Sequence, residues 1–371
     1  MVTTDLVHEN GTLDLDSATV ERALSELWQE AAKDSDGAPV TRARVMTAII
    51  YTEDEESAGF AAAVAEALPE RHPSRGILLH VNPRERRPLS ASISIQCLIN
   101  PGGERKLCSE QIVVTAGEDT RALLPGAVMP LVVADLPAVL WWTGRPRPAD
   151  PVLRRFARSA ADRVVLDSGL FRDPAAGLIS LARWRDDARR HAALGDLAWE
   201  RLREWRQLLA QTMDPPEARA GLTQVRDVTV TYRGEAVMPA EPLLLAGWLA
   251  ASLRWRPIDS PAPGVVTLGA GTETVTLRFL QALEQPAVAG IGSMRLATVD
   301  GVSYTVRVDD QAAGVCDVEG FGRAPLGRVV PMRPDEPLEL VVRALGRRGQ
   351  DPIYESALGA AAEIVVLGVT A

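Results

Sequence analysis

The side chains that carry most protein chemistry are sparse in this chain. Its four histidines, His8, His72, His80 and His191, are widely separated, and no His-Glu-x-x-His spacing sets two imidazoles on one helical face to hold a metal. Asp186-Asp187 and Asp309-Asp310 are adjacent acids, which point different ways on a helix or strand and read as solvated charge rather than an acid–base pair. The hydrolase elbow Gly-x-Ser-x-Gly and the phosphate loop ending in Gly-Lys-Ser/Thr are absent. Gly269-Ala270-Gly271 and Gly290-Ile291-Gly292 lack the third glycine and the following helix of a dinucleotide-binding turn, so they read as strand ends or bends. Arg183, Arg185, Arg189 and Arg190 could attract a sugar phosphate, but Asp186 and Asp187 dilute them in favour of salt bridging. This pattern predicts no catalytic residue, no metal site and no cofactor.

Two groups of residues remain as candidates. Cys97 and Cys108 lie equally far from Gly102-Gly103, the centre of an expected hairpin, and therefore face each other within disulfide reach. A redox pair is one reading; two small packed thiols is the more ordinary one. The other group is aromatic: eight tryptophans against five phenylalanines is an unusual balance. Most lie in periodic apolar segments, where packing is the default, although aromatic anchors also dominate protein interfaces. Trp141 and Trp142 are strand neighbours and point to opposite faces, so both are buried only in a sheet covered on both sides. Otherwise Trp142, with Arg145 beside the Gly144 turn, would anchor a partner.

The elements that must position these residues follow from hydrophobic periodicity. A helix over residues 15–32 precedes a linker at 33–39. Val45 to Tyr51, Ala58 to Leu68 and Gly76 to Val81 form a strand–helix–strand unit with parallel pairing, and Ser92 to Ile99 with Leu107 to Val114 form a hairpin around Pro101-Gly102-Gly103-Glu104. Asp119 should cap a helix running to Ala134, followed by a strand at Ala138 to Trp142. Asp196 should cap a long helix reaching Gln211. Prolines at 215 and 216 mark the expected domain boundary, after which strands dominate. The expectation is an α/β protein: an N-terminal helix and linker (1–40), a mixed-sheet α/β domain (41–215) and an α+β domain (216–371).

A formal charge of −9 argues against nucleic acid or anionic membranes as general partners. The first ten residues lack the basic start and apolar stretch of a secretory signal, and three cysteines without a CxxC pair suit a reducing compartment, so a cytoplasmic location is expected.

Several segments resemble the glucose-6-phosphate dehydrogenase assembly protein family, OpcA. They are His72-Pro73-Ser74-Arg75, Leu136-Pro137-Ala138-Val139-Leu140-Trp141-Trp142, Ala161-Asp162-Arg163-Val164-Val165-Leu166-Asp167-Ser168, Asp196-Leu197-Ala198-Trp199-Glu200-Arg201-Leu202 with Trp205-Arg206, and Leu244-Leu245-Ala246-Gly247-Trp248-Leu249 ending at Trp255. The resemblance implies a non-catalytic partner of glucose-6-phosphate dehydrogenase that promotes its active form, and it supplies no catalytic residues. Its own oligomeric state stays open. The competing expectation is an enzyme or sensor holding a phosphorylated sugar at the strand ends of the α/β domain.

Overall fold

The computed structural model describes residues 4–368 apart from 15, 34–39, 85, 100–105, 189–190, 235–236, 285, 312, 321–327 and 333–335. The expected 34–39 linker, the 101–104 turn, Arg189 and Arg190 lie outside the described residues.

In chain order the first elements are β1 (Thr4–Asp14), α1 (Ser17–Lys33), β2 (Val40–Arg42), β3 (Met46–Thr52), α2 (Glu55–Arg71), β4 (Ser74–Asn82), β5 (Ser90–Ile99) and β6 (Lys106–Gly117). Then come α3 (Leu124–Val128), β7 (Ala138–Trp142), α4 (Pro151–Ser159), β8 (Arg163–Leu166), α5 (Pro174–Ala188), β9 (Ala193–Asp196), α6 (Leu197–Arg201), α7 (Arg203–Thr212) and α8 (Pro216–Gly221). The remainder is β10 (Val225–Tyr232), α9 (Ala240–Leu253), β11 (Arg256–Ala262), β12 (Val265–Ala270), β13 (Glu273–Gln281), β14 (Ile291–Thr298), β15 (Ser303–Val308), β16 (Ala313–Glu319), β17 (Arg328–Pro331), α10 (Pro337–Gly346) and α11 (Pro352–Val366).

The protein is mixed α/β with two sheets. The first has the order β1-β5-β6-β4-β3-β7-β8-β9, with β2 paired to β6. Its centre is parallel through β6, β4, β3, β7 and β8, while β5 runs antiparallel between β1 and β6. Continuous apolar strands such as Ile49-Ile50-Tyr51 and Val139-Leu140-Trp141 are what a parallel sheet with helices on both faces requires. Trp141 and Trp142 are both buried. Phe60 of α2 meets Trp141 edge-on at 5.8 Å, and Tyr51 stacks on Trp142 at 3.7 Å.

The second sheet has the order β11-β12-β13-β10-β14-β15-β16-β17 and is antiparallel except for the β10–β13 pair. Val228, Val230, Leu277, Met294, Leu296 and Val306 line its buried face, and alternate positions are polar. Helices α9 and α11 pack closely because Gly247 has no side chain: a Cβ there would lie 2.3 Å from the Ala357 carbonyl oxygen.

Contacts divide the chain into two compact units, 1–167 with 187–195 and 337–350, and 168–186 with 196–336 and 351–371. The bounds of these units lie near Asp167 and Asp196, and the short helix α8 begins at Pro216.

Two details depart from the sequence expectations and a third agrees with them. Asp119 caps no helix: its carboxylate accepts from the Arg87 amide, and the chain to Leu131 forms three short turns because Pro125 and Pro130 each remove a helical donor. Asp196 does cap, accepting from Ala198 N, but the helix breaks at Leu202 into α6 and α7. The Gly271 and Gly290 backbones have φ of +69°, consistent with bends at the ends of β12 and before β14. No helix among the described residues is long and apolar enough to cross a membrane.

Candidate functional site

Ligands of open α/β sheets sit beyond the carboxyl ends of the strands, where the order of connections reverses. In the first unit that point lies between β3, which leads through α2 to β4 on one side, and β7, which leads through α4 to β8 on the other. Helix N-termini there would ordinarily offer amide groups to a phosphate. Here the chain fills both with its own carboxylates. Asp54 accepts from Ser57 N at the start of α2, and Asp150 accepts from Val152 N and Leu153 N at the start of α4.

Between these caps runs a closed ion network. Arg121 Nε donates to the Tyr51 hydroxyl at 2.6 Å and to Glu53 Oε1 at 2.8 Å, and its Nη2 donates to Asp150 Oδ2 at 2.7 Å. The Tyr51 hydroxyl donates in turn to Glu53 Oε1 at 2.6 Å, and Arg147 Nη2 reaches Glu53 Oε2 at 3.0 Å. The Arg121 guanidinium carbon lies 5.6 Å and 5.8 Å from the ring centres of Tyr51 and Trp142. Burial, with the acceptor Glu53 beside it, pushes the Tyr51 phenol well above its ordinary range, so it stays neutral and works as a donor. Burial opposes the charge on Arg121, but the hydrogen bond to Asp150 and the neighbouring acids outweigh it.

Beside this network is a cavity of about 350 Å³ lined by Glu53, Asp54, Glu55, His80, Asn82 and Arg84. Its rim is predominantly acidic. Of the arginines here, Arg121 and Arg147 are engaged by carboxylates while Arg84 lies among the cavity's acids, and the described residues set no nucleophile next to a base. Among the described residues no group of three or more His, Cys, Asp or Glu could hold a metal ion.

The two residues expected to meet a partner part company here. Trp142 is buried against Tyr51, which removes it from the surface, whereas Arg145 is exposed on the loop after Gly144. Gly144 has φ of +64°, and a Cβ there would lie 3.3 Å from the Asp54 carboxylate, so a glycine is required for the loop to pass the α2 cap. Cys97 and Cys108 are register partners in β5 and β6, and the structure joins them by a disulfide with α-carbons 4.0 Å apart. Cys316 is buried with its sulfur 3.2 Å from Thr212 Oγ1.

Sequence reading missed a second polar centre in the same unit. Glu110 of β6 is fully buried and receives Arg75 Nε at 2.7 Å, Arg42 Nη2 at 2.7 Å and Trp28 Nε1 at 3.1 Å, with Arg44 Nη1 at 3.2 Å. Arg75 continues to Glu21 and to the Leu131 carbonyl. Glu110 sits in a polar Ser109-Glu110-Gln111 step between apolar pairs of the same strand, which gave little signal of burial. The network ties α1, β2, β4 and β6 together and is structural.

Fold and site together define a two-unit α/β protein whose expected ligand crest is neutralised from within. Residues 65–183 match the family described as glucose-6-phosphate dehydrogenase subunit N-terminal domain, and residues 192–358 match its C-terminal domain. The chain belongs to the OpcA family of glucose-6-phosphate dehydrogenase assembly proteins. It is similar to proteins named OxPP cycle protein OpcA from three cyanobacteria. Identity is 27% with that of Synechocystis, over 85% of this chain and 68% of the relative. It is 29% with that of Synechococcus elongatus, over 55% of this chain and 44% of the relative, and 32% with that of Nostoc punctiforme, over 53% and 41%. The matched stretch thus spans less than half the length of the latter two.

Proposed function

We propose that this chain binds glucose-6-phosphate dehydrogenase in the cytoplasm and favours its active form in the oxidative pentose phosphate pathway, performing no chemistry itself. Membership of a family described by that dehydrogenase carries the reading. The strand-end crest supports it, because Arg121 and Arg147 are engaged by Glu53 and Asp150 instead of being left to hold a phosphorylated sugar. An activator shifts an enzyme toward one state only by binding that state more tightly. A tenfold change in apparent affinity requires about 1.4 kcal/mol of coupling, within the reach of one or two interface anchors.

The test is the cognate dehydrogenase assayed across glucose-6-phosphate concentrations with and without the purified chain, with co-elution measured in the same buffer. Altered apparent affinity or maximal rate together with co-elution is expected. Co-elution with unchanged turnover would make the chain a scaffold. Loss of both effects, with glucose-6-phosphate instead binding this chain alone, would move the assignment to a sugar-phosphate sensor.

A further inference from the structure

We infer that the surface built by residues 121–131 and helix α4 is a docking face for a protein segment that presents apolar side chains within an acidic rim. This rests on the partner-binding reading above and locates its contact.

Residues 122–134 contain no polar side chain, an unusual run for a surface segment. Pro125 and Pro130 keep it from forming one helix that could turn a single apolar stripe inward, so its short turns leave side chains on both sides. Leu124, Val128 and Leu131 go into the core, while Leu123 and Met129 remain 56% and 50% exposed. Gly126 between them is exposed as well. Single exposed apolar residues are ordinary, but Leu123 and Met129, with exposed Ala122, Gly126 and Pro130 in the same polar-free segment, present apolar surface of the kind interfaces use. Met129 is unbranched and adapts to a partner's shape.

Charge identifies the occupant. Between residues 121 and 160 six arginines stand against two aspartates, in a chain whose formal charge is −9. Arg121 and Arg147 are consumed by the crest network. Arg145, Arg155 and Arg158 are exposed, and none has a carboxylate partner among the described residues. Arg155 sets α4 against the apolar segment by donating from Nη1 to the Ala122 carbonyl at 3.4 Å. An apolar segment touched by the Arg155 guanidinium, with Arg158 exposed on the same helix, complements an acidic partner, which would also be steered to it. A second copy of the chain docking by two-fold symmetry would set arginines against arginines. An anionic bilayer is disfavoured by the charge of the whole molecule. Arg145, the exposed member of the pair expected from sequence, lies on the loop leading into α4.

The experiment uses the full-length chain and the purified cognate dehydrogenase, comparing wild type, Leu123→Asp with Met129→Asp, and Arg155→Glu with Arg158→Glu. Thermal midpoints near wild type establish that each variant is folded. Affinity should fall about thirtyfold or more in the apolar variant, as for loss of a hot spot. The charge reversal should weaken binding and flatten its salt dependence. Wild-type affinity in both folded variants would overturn the docking face while leaving the activator reading intact. No binding by wild type would overturn both. Loss of a wild-type dimer in the variants would assign the face to self-association. Binding of wild type but not the charge reversal to phosphatidylserine vesicles, with dehydrogenase affinity unchanged, would assign it to a membrane; either result overturns the acidic protein partner.

Discussion

Replacing Glu110 by glutamine should cost this protein more stability than changing any other single charge in the first unit. The side chain is fully buried, and its partner Arg75 is only 2% exposed. Burial alone would push the Glu110 carboxyl up, but Arg75, Trp28 and Arg42 hold it below the usual carboxylate range. It therefore contributes stability above the unfolded carboxylate pKa and loses that contribution as pH falls through the lowered value. Removing one member of a buried pair typically costs about 3–5 kcal/mol, because the other charge is stranded. Here the lower end applies: Arg42 and Arg44 are 36% and 20% exposed and can turn to water, and Arg75 keeps Glu21 and the Leu131 carbonyl. About 3 kcal/mol corresponds to a thermal midpoint lower by about 6–12 °C for a unit of this size. Glu21→Gln is the control: Glu21 is 45% exposed, and its loss should cost about 1 kcal/mol or less. Replacing Arg75 and Glu110 together by methionine should recover much of the deficit. Chemical denaturation of the four proteins decides the matter. A Glu110→Gln cost no greater than that of Glu21→Gln would refute the claim that the pair is buried and mutually dependent.

Other consequences follow from single contacts. His72 ends α2 with its ring against Gly346 of α10; burial lowers its pKa, and nearby Arg71 and Arg348 lower it further. Its neutral form is favoured in the fold, so its contribution is complete above the unfolded value of about 6.5 and is lost as pH falls below it. Thermal melts between pH 8 and 5.5 should show that loss, and His72→Gln should flatten it. Reduction of the Cys97–Cys108 disulfide, which closes a loop with a sequence separation of 11, should lower stability by about 2–3 kcal/mol, measured by denaturation with and without dithiothreitol. If the pair is also a redox switch, dehydrogenase affinity should change between the two forms. Gly247→Ala sets a methyl against the Ala357 carbonyl and Ala361 amide, and the resulting separation of α9 from α11 should cost about 3 kcal/mol in the same assay.

Elements whose side chains repeat with one clear period were legible in the sequence. α1, α2 and the strands β3, β4 and β7 lie where apolar spacing places them, and the hairpin symmetry around Gly102-Gly103 set Cys97 opposite Cys108. Elements held mainly by their neighbours were not. β11 reads Arg-Pro-Ile-Asp-Ser-Pro-Ala and gains strand conformation only by pairing with β12 at the sheet edge, where its two prolines are tolerated. β1 carries acidic and polar residues and is fixed through its antiparallel register with β5.

The site was less legible because its decisive facts are pairings between distant positions. Composition shows a surplus of arginines around α4 but not that Glu53 and Asp150 consume Arg121 and Arg147 while Arg145, Arg155 and Arg158 meet no carboxylate among the described residues. The same concealment affects the apolar residues. Trp142 had the stronger prior as an anchor, being larger and followed by a turn, yet a parallel strand covered on both faces buries it beneath Tyr51. Leu123 drew no attention in the sequence, where an uninterrupted helix from residue 119 was expected to bury one side of that segment. Two prolines alter the geometry, and the exposed apolar surface passes from the strand to the turns beside it. What the sequence leaves open is therefore which residues use one another up, and the unspent remainder is the part of the surface available to a partner.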